Sequence, residues 1–83
     1  MKDKDLKVVI ASPRGLWETS FSKTTKVAEV IEAARQHFGF EPGTLLLRRE
    51  GARENLLPER PLVSYGIDDG ETLLLVPEMG TGV

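Results

Sequence analysis

The sequence predicts one small α+β domain in which a mixed sheet of four to five strands packs on a single helix, in the order ββαββ(β). Three observations support this fold class. Segments with an apolar residue at every second position flank one segment with helical spacing. Turn residues separate these segments, and 83 residues leave no room for a second domain. The strands and the amphipathic helix are therefore expected to share one core.

The first two strands are predicted to form a hairpin. Leu6, Val8 and Ile10 alternate with more polar residues, which is typical of a strand with one buried face. Residues 12–15 read Ser-Pro-Arg-Gly, and proline and glycine favour a tight turn at this place. Residues 17–22 alternate again. We expect Trp17, an inward position of this second strand, to pack on the core.

One amphipathic helix follows the hairpin. Its apolar stripe has helical spacing and consists of Val27, Val30, Ile31, Ala34 and Phe38. We expect Thr24 or Thr25 to be the N-cap, because a threonine oxygen can accept a hydrogen bond from an early N–H group. Neither threonine has Glu or Gln three residues later, so no capping box is expected. Gly39 is predicted to end the helix.

The second half of the chain supplies the remaining strands. Residues 44–49 are predicted to form a third strand, and residues 56–57 a very short one before Pro58. Residues 61–67 are predicted to form a compact loop or a single helical turn, and residues 72–76 the last strand. The expected domain covers residues 6–76, with a frayed N-terminus over 1–5 and a flexible tail over 77–83.

Two strands depart from the alternation expected of a sheet that is covered on one face. Leucines fill positions 45–47 and 73–75 and are followed by Arg48 and Val76, respectively. If the odd-numbered leucines face the helix, the intervening side chains face outward. Clustered apolar side chains on a surface are typical of contact sites. We therefore predict a partner-binding face made of Leu46, Arg48, Leu74 and Val76.

Composition limits the chemistry that the chain can perform. It has no cysteine, one histidine (His37) and a formal charge of −2. No thiol mechanism or zinc–thiolate site is available, and the balanced charge does not favour nucleic acid. We expect no catalytic residue, metal, cofactor or membrane partner, and we expect a cytoplasmic monomer. Arginines and glutamates alternate through one stretch, which favours a solvated surface with weak ion pairs: Arg48, Arg49, Glu50, Arg53, Glu54, Glu59 and Arg60.

The second half of the chain resembles the ubiquitin-like, β-grasp family. Residues 62–67 (Leu-Val-Ser-Tyr-Gly-Ile) and residues 69–76 (Asp-Gly-Glu-Thr-Leu-Leu-Leu-Val) are similar to the loop, acidic turn and last strand of that family. The likeness covers about residues 6–76 and implies the β-grasp fold and protein partners. In ubiquitin the outer sheet face carries an apolar patch, and the matching third-strand position here is Arg48. Ubiquitin's own receptors are therefore not expected to bind this face well.

The resemblance leaves two functions open. Ubiquitin ends in a Gly-Gly pair whose carboxylate is adenylated, whereas this chain ends Gly80-Thr81-Gly82-Val83. One hypothesis is a protein modifier conjugated through Gly82 after Val83 is trimmed, with an activating enzyme and a processing protease as partners. The alternative is a stand-alone interaction module or assembly subunit that is never conjugated. A sulfur carrier is disfavoured, because it needs a terminal Gly-Gly.

Overall fold

The computed structural model describes residues 5–41 and 43–77. Within these ranges the chain forms four strands, one α-helix and one 3₁₀ turn. Their bounds are β1 Asp5–Ser12, β2 Gly15–Ser22, α1 Val27–Phe38, β3 Leu45–Arg49, the 3₁₀ turn Leu62–Tyr65 and β4 Glu71–Pro77. The predicted order of hairpin, helix and strands is confirmed.

The four strands form one mixed sheet in the order β2-β1-β4-β3. β1 is antiparallel to β2 and parallel to β4, and β3 is antiparallel to β4. The parallel pair at the centre joins the first strand to the last, so the sheet cannot be completed until the whole chain has been placed. The antiparallel β3–β4 pairing brings the two leucine-rich strands side by side.

The core lies between α1 and one face of the sheet. Its thirteen buried apolar residues are Leu6, Val8, Ile10, Val27, Val30, Ala34, Leu45, Leu47, Leu56, Leu62, Ile67, Leu73 and Leu75. In the sheet these are the alternate positions of β1, β3 and β4, which is the pattern expected when a sheet is covered on one face. The inward assignment of Leu45, Leu47, Leu73 and Leu75 is therefore confirmed.

The start of α1 differs from the prediction. The N-cap is Lys26, not Thr24 or Thr25, and the Glu29 carboxylate accepts a hydrogen bond of 3.4 Å from the Lys26 N–H. The N–H groups of Val27 and Ala28 donate instead to the carbonyls of Arg60 and Pro58, both at 2.9 Å. Loop carbonyls therefore satisfy helix donors that would otherwise need a threonine oxygen.

The end of α1 agrees with the prediction. Gly39 ends the helix in the left-handed conformation, with φ 77°. Arg14, in the β1–β2 turn, donates hydrogen bonds of 3.1 and 3.0 Å to the carbonyls of Phe38 and Gly39. Its guanidinium also lies over the Phe40 ring, 4.5 Å from the centroid. This one side chain ties the hairpin to the helix C-terminus, where a cation is favoured.

Strand bounds near the third and fourth strands also differ from the prediction. Residues 56–57 form no strand: an isolated bridge joins Arg48 to Asn55, and the Leu56 N–H donates to the Leu47 carbonyl at 2.7 Å. Pro58, directly after this pair, cannot donate a ladder hydrogen bond, which stops further pairing. Pro77, expected to follow the last strand, is its final residue, opposite Leu45.

Candidate functional site: the outer face of the sheet

The face of the sheet away from α1 carries apolar side chains from all four strands. Ala11 in β1 is paired with Leu16 in β2 on one side and with Leu74 in β4 on the other. Leu74 is in turn paired with Arg48 in β3. Neighbouring strands lie ~4.8 Å apart, so this row from Leu16 to Arg48 spans about 14 Å. We call it, together with Leu46 and Val76, the outer face.

A second pair extends the outer face along the strands. Leu46 lies directly opposite Val76, two residues along each strand from Arg48 and Leu74. All four of these side chains are partly exposed, whereas Leu47 and Leu75, which alternate with them, are buried. The residues predicted for the partner-binding face therefore lie together on one surface and outside the core.

Leu16 belongs to this surface but was missing from the predicted face. It is 73% exposed, more than any other large apolar side chain that the structure describes. Its neighbour Trp17 was correctly assigned to the inward side, and alternation along a strand then requires Leu16 to face outward. The sequence contained that signal, but the side-by-side placement of Leu16, Ala11 and Leu74 depends on the parallel β1–β4 pairing.

Arg48 is the charged side chain within the outer face, and its guanidinium is incompletely satisfied. Its Nε is buried and has no hydrogen-bond partner among the described residues. Glu50 and Glu54 are the carboxylates nearest to it along the chain. Neither forms a salt bridge with Arg48: the ion pairs found in the described part of the chain are Arg35–Glu32 and Arg49–Glu71.

Arg49 behaves quite differently from Arg48 and corrects one expectation. It was grouped with solvated arginines, but it lies on the inner side of β3 and pairs with Glu71 through two contacts, Nε–Oε2 of 2.5 Å and Nη2–Oε1 of 3.0 Å. Its Nη1 donates to the Tyr65 carbonyl at 3.0 Å. The Arg49 guanidinium lowers the pKa of the Glu71 carboxyl, assisted by the Asp68 N–H. This pair braces the 3₁₀ turn against β3 and β4.

The lone histidine has a packing role in the structure. The His37 ring stacks on the indole of Trp17, with centroids 4.2 Å apart and planes 7° from parallel. Phe21 and Phe38 meet the same indole edge to face, at 6.3 and 6.4 Å. Trp17 packs against the core, as predicted. In the described ranges, no three metal-ligating side chains come together.

A shallow groove separates α1 from the start of β3. Its apolar lining includes Ala28, Ile31 and Leu45, and its charged residues are Glu32 and Arg35. These two charges pair with each other, and that pairing lowers the pKa of Glu32.

Two further findings concern the C-terminal residues and the helix. The predicted conjugation and processing residues Gly80, Gly82 and Val83 lie outside the described residues. The one α-helix that the structure describes is neither long nor apolar enough to span a membrane.

Comparison with solved structures finds the same architecture in ubiquitin-like proteins. Ubiquitin of Caldiarchaeum subterraneum superposes with a TM-score of 0.77 at 22% identity, covering 94% of this chain and 99% of that chain. For a protein designed on the basis of ubiquitin, the TM-score is 0.79 at 24% identity, with 98% and 99% covered. For the ubiquitin-like domain of Plasmodium falciparum Dsk2, it is 0.78 at 19% identity, with 89% and 99% covered.

No protein-family model and no curated protein sequence matches the chain. The identities to the solved structures are low, so the likeness concerns the fold and not the biochemical role. Element order, sheet order and superposition nevertheless agree: the chain has the ubiquitin-like β-grasp fold.

Proposed function

We propose that this chain is a non-catalytic ubiquitin-like protein that acts by binding other proteins through its outer face. The observation that carries the proposal is the apolar row Leu16–Ala11–Leu74, which crosses three adjacent strands on the side of the sheet away from the helix. An antiparallel or mixed sheet covered on one face usually turns polar side chains to water on the other. Here one end of the solvent side carries an apolar row instead, while Lys7, Glu18 and Ser20 keep the other end polar.

The composition of the outer face supports protein binding. Interface centres that contribute most to affinity commonly combine apolar anchors with arginine. Leu46, Leu74 and Val76 supply partly exposed apolar surface around Arg48. A partner that covered them would remove this surface from water, at about 25 cal/mol for each Å² of apolar area.

The remaining polar side chains support a non-catalytic role. A general acid or base must have an atom that is free to donate a proton to the substrate or to accept one from it. The Glu71 carboxylate is held by Arg49. His37 contributes a stacking contact with Trp17, and no cluster of metal-ligating side chains surrounds it in the described ranges. In the groove beside α1, Glu32 and Arg35 form an ion pair with each other. These groups serve packing and stability.

Conjugation is the second candidate function, and it rests on the terminal sequence Gly80-Thr81-Gly82-Val83. Glycine has no side chain and can pass through a narrow enzyme cleft. Hydrolysis of the Gly82–Val83 bond would release valine and leave a Gly82 carboxylate. Adenylation by ATP would release pyrophosphate, and attack by a target amine on the acyl-adenylate would release AMP and form an amide.

A pull-down with matched leucine variants tests the proposed face. Leu74→Asp places a charge in the middle of the outer face, whereas Leu57→Asp makes the same change at a side chain that is 47% exposed elsewhere. We expect Leu74→Asp to abolish capture of the partners bound by the native chain, and Leu57→Asp to retain it. Circular dichroism should show both variants folded. Capture that survives Leu74→Asp, or is lost equally in both, would show that the face is wrongly chosen.

Intact mass of the protein from its own cells tests conjugation. Loss of one valine, or an adduct linked through Gly82, is the expected result for a modifier. A full-length, unmodified chain in every fraction would leave the stand-alone interaction module as the function.

A further inference from the structure

We infer that the partner of the outer face presents a carboxylate to Arg48, from an aspartate or glutamate flanked by apolar side chains. This inference rests on the proposed function and specifies the chemistry of the partner. It starts from the guanidinium of Arg48, whose Nε is buried among its neighbours and has no acceptor within the described part of the chain.

Arg49 shows what a satisfied arginine looks like in the same strand. It uses Nε and Nη2 together to grip the two oxygens of Glu71. A two-point contact of this kind adds strength and geometric specificity to an arginine–carboxylate pair. Arg48 lies on the opposite side of the strand, and no carboxylate of the described residues pairs with it. Because its Nε is buried, a carboxylate from a partner would meet the terminal Nη1 and Nη2 groups, which also offer a two-point contact.

The surroundings of Arg48 strengthen the need for an acceptor. Leu74 lies directly opposite in the ladder, and Leu46 lies two residues earlier on the same side of β3. A partner that covers these apolar side chains also removes water from the guanidinium. A charge that loses water must gain an ionic partner, or binding is weakened. A carboxylate that reaches Arg48 as the apolar row is covered meets this requirement and fixes the register of the complex.

A protein carboxylate fits this surface better than a nucleic-acid phosphate. Binding along a phosphate backbone uses several cations together. The apolar outer face carries one arginine, and the chain has a formal charge of −2. The apolar row beside Arg48 calls for apolar side chains on the partner, which a peptide supplies.

The inference can be tested by selecting, from a random phage-displayed library, peptides that bind the full chain. Peptides whose binding is lost with Leu74→Asp define the outer-face set. We expect this set to contain Asp or Glu, and we expect Arg48→Glu to weaken its binding about tenfold or more. Arg48→Lys keeps the charge but not the two-point contact and should weaken binding by a smaller factor. Arg60→Glu makes the same charge change at an exposed arginine outside the face and should leave binding unchanged.

A charge exchange completes the test. Replacing the selected acidic residue by Arg should abolish binding to the native chain and restore binding to the Arg48→Glu variant. If outer-face peptides contain no acidic residue, or if Arg48→Glu and Arg60→Glu affect them equally, the inferred carboxylate is wrong while the proposed face stands. If no selected peptide depends on Leu74, or if an oligonucleotide displaces the peptides from Arg48, the proposed protein-binding face itself fails.

Discussion

The Arg49 guanidinium grips the Glu71 carboxylate at two points across the end of the β3–β4 ladder, with contacts of 2.5 and 3.0 Å. The two residues lie 22 positions apart, so the pair closes the segment that contains the 3₁₀ turn. It is also the clearest difference between the two adjacent arginines: Arg49 pairs with Glu71, whereas the Nε of Arg48 has no acceptor among residues 5–41 and 43–77.

Glu71→Gln should destabilise the protein in a pH-dependent way. The pair lowers the pKa of Glu71 in the folded state, so its stabilisation is fully present above the ordinary carboxyl pKa and is lost as the pH falls through the folded value. We expect a loss of about 1 kcal/mol near neutral pH, because the pair is only partly buried. This loss should disappear at strongly acidic pH.

Urea unfolding of both proteins between neutral pH and acid measures this effect. Glu32→Gln is the matched control, because its pair with Arg35 lies on the exposed surface of α1. It should cost less than Glu71→Gln. A Glu71→Gln loss that remains constant down to strongly acidic pH would contradict the role given to the ion pair.

Truncation of two adjacent leucines in β3 should change the free energy of unfolding by very different amounts. Leu47 is completely buried, and Leu47→Ala should cost about 2–5 kcal/mol because it leaves a cavity in the core. Leu46 is partly exposed on the outer face, and Leu46→Ala should change stability by about 0.5 kcal/mol or less. Chemical denaturation of the two variants measures the difference, and equal losses would show that the faces of β3 are wrongly assigned.

Gly39 should resist substitution because of its backbone conformation. Its φ is +77°, and an added Cβ would meet the Arg14 Nη1 only at an ordinary 3.7 Å. We therefore expect Gly39→Ala to cost about 1–2 kcal/mol through the backbone alone. Gly43 lacks a positive φ, and an added Cβ would lie 3.9 Å from the Glu41 carbonyl oxygen, an ordinary contact, so Gly43→Ala should be neutral or slightly stabilising. Thermal unfolding of the two variants measures this difference. Similar Tm values would show that Gly39 does not end the helix in the left-handed conformation.

His37→Ala should change the fluorescence of the protein. Trp17 is the one tryptophan in the sequence, and the His37 ring covers one side of its indole. Removing that ring should expose the indole to water and shift its emission to longer wavelength, with a stability loss of about 0.5–1 kcal/mol. Gln36→Ala, one position earlier on the helix, should leave the spectrum unchanged. An unshifted spectrum in His37→Ala would show that the two rings do not stack in solution.

Local patterns were sufficient for most of the fold. Alternation identified β1 and β2, the runs of leucine marked β3 and β4, and the apolar stripe from Val27 to Phe38 identified α1 with its end at Gly39. The prediction of the helix start failed for a tertiary reason. The carbonyls of Pro58 and Arg60 come from a distant loop, and no rule about nearby residues could have assigned them to the first N–H groups of α1.

The sequence alone also grouped Leu46 with Arg48, and Leu74 with Val76, on one side of each strand, since alternation is a local property of an extended chain. It could not determine which strands lie side by side. The parallel β1–β4 pairing places Leu16, Ala11 and Leu74 in one row, and the β3–β4 register places Arg48 at its end. The sequence likewise could not show that Arg48 and Arg49 differ in their ion pairing, because Glu71 comes close to Arg49 only when β3 and β4 pair. Contacts between residues far apart in the chain depend on how the whole core closes. This is why the extension of the predicted face to Leu16 and Ala11, and the difference between Arg48 and Arg49, emerged only from the tertiary structure.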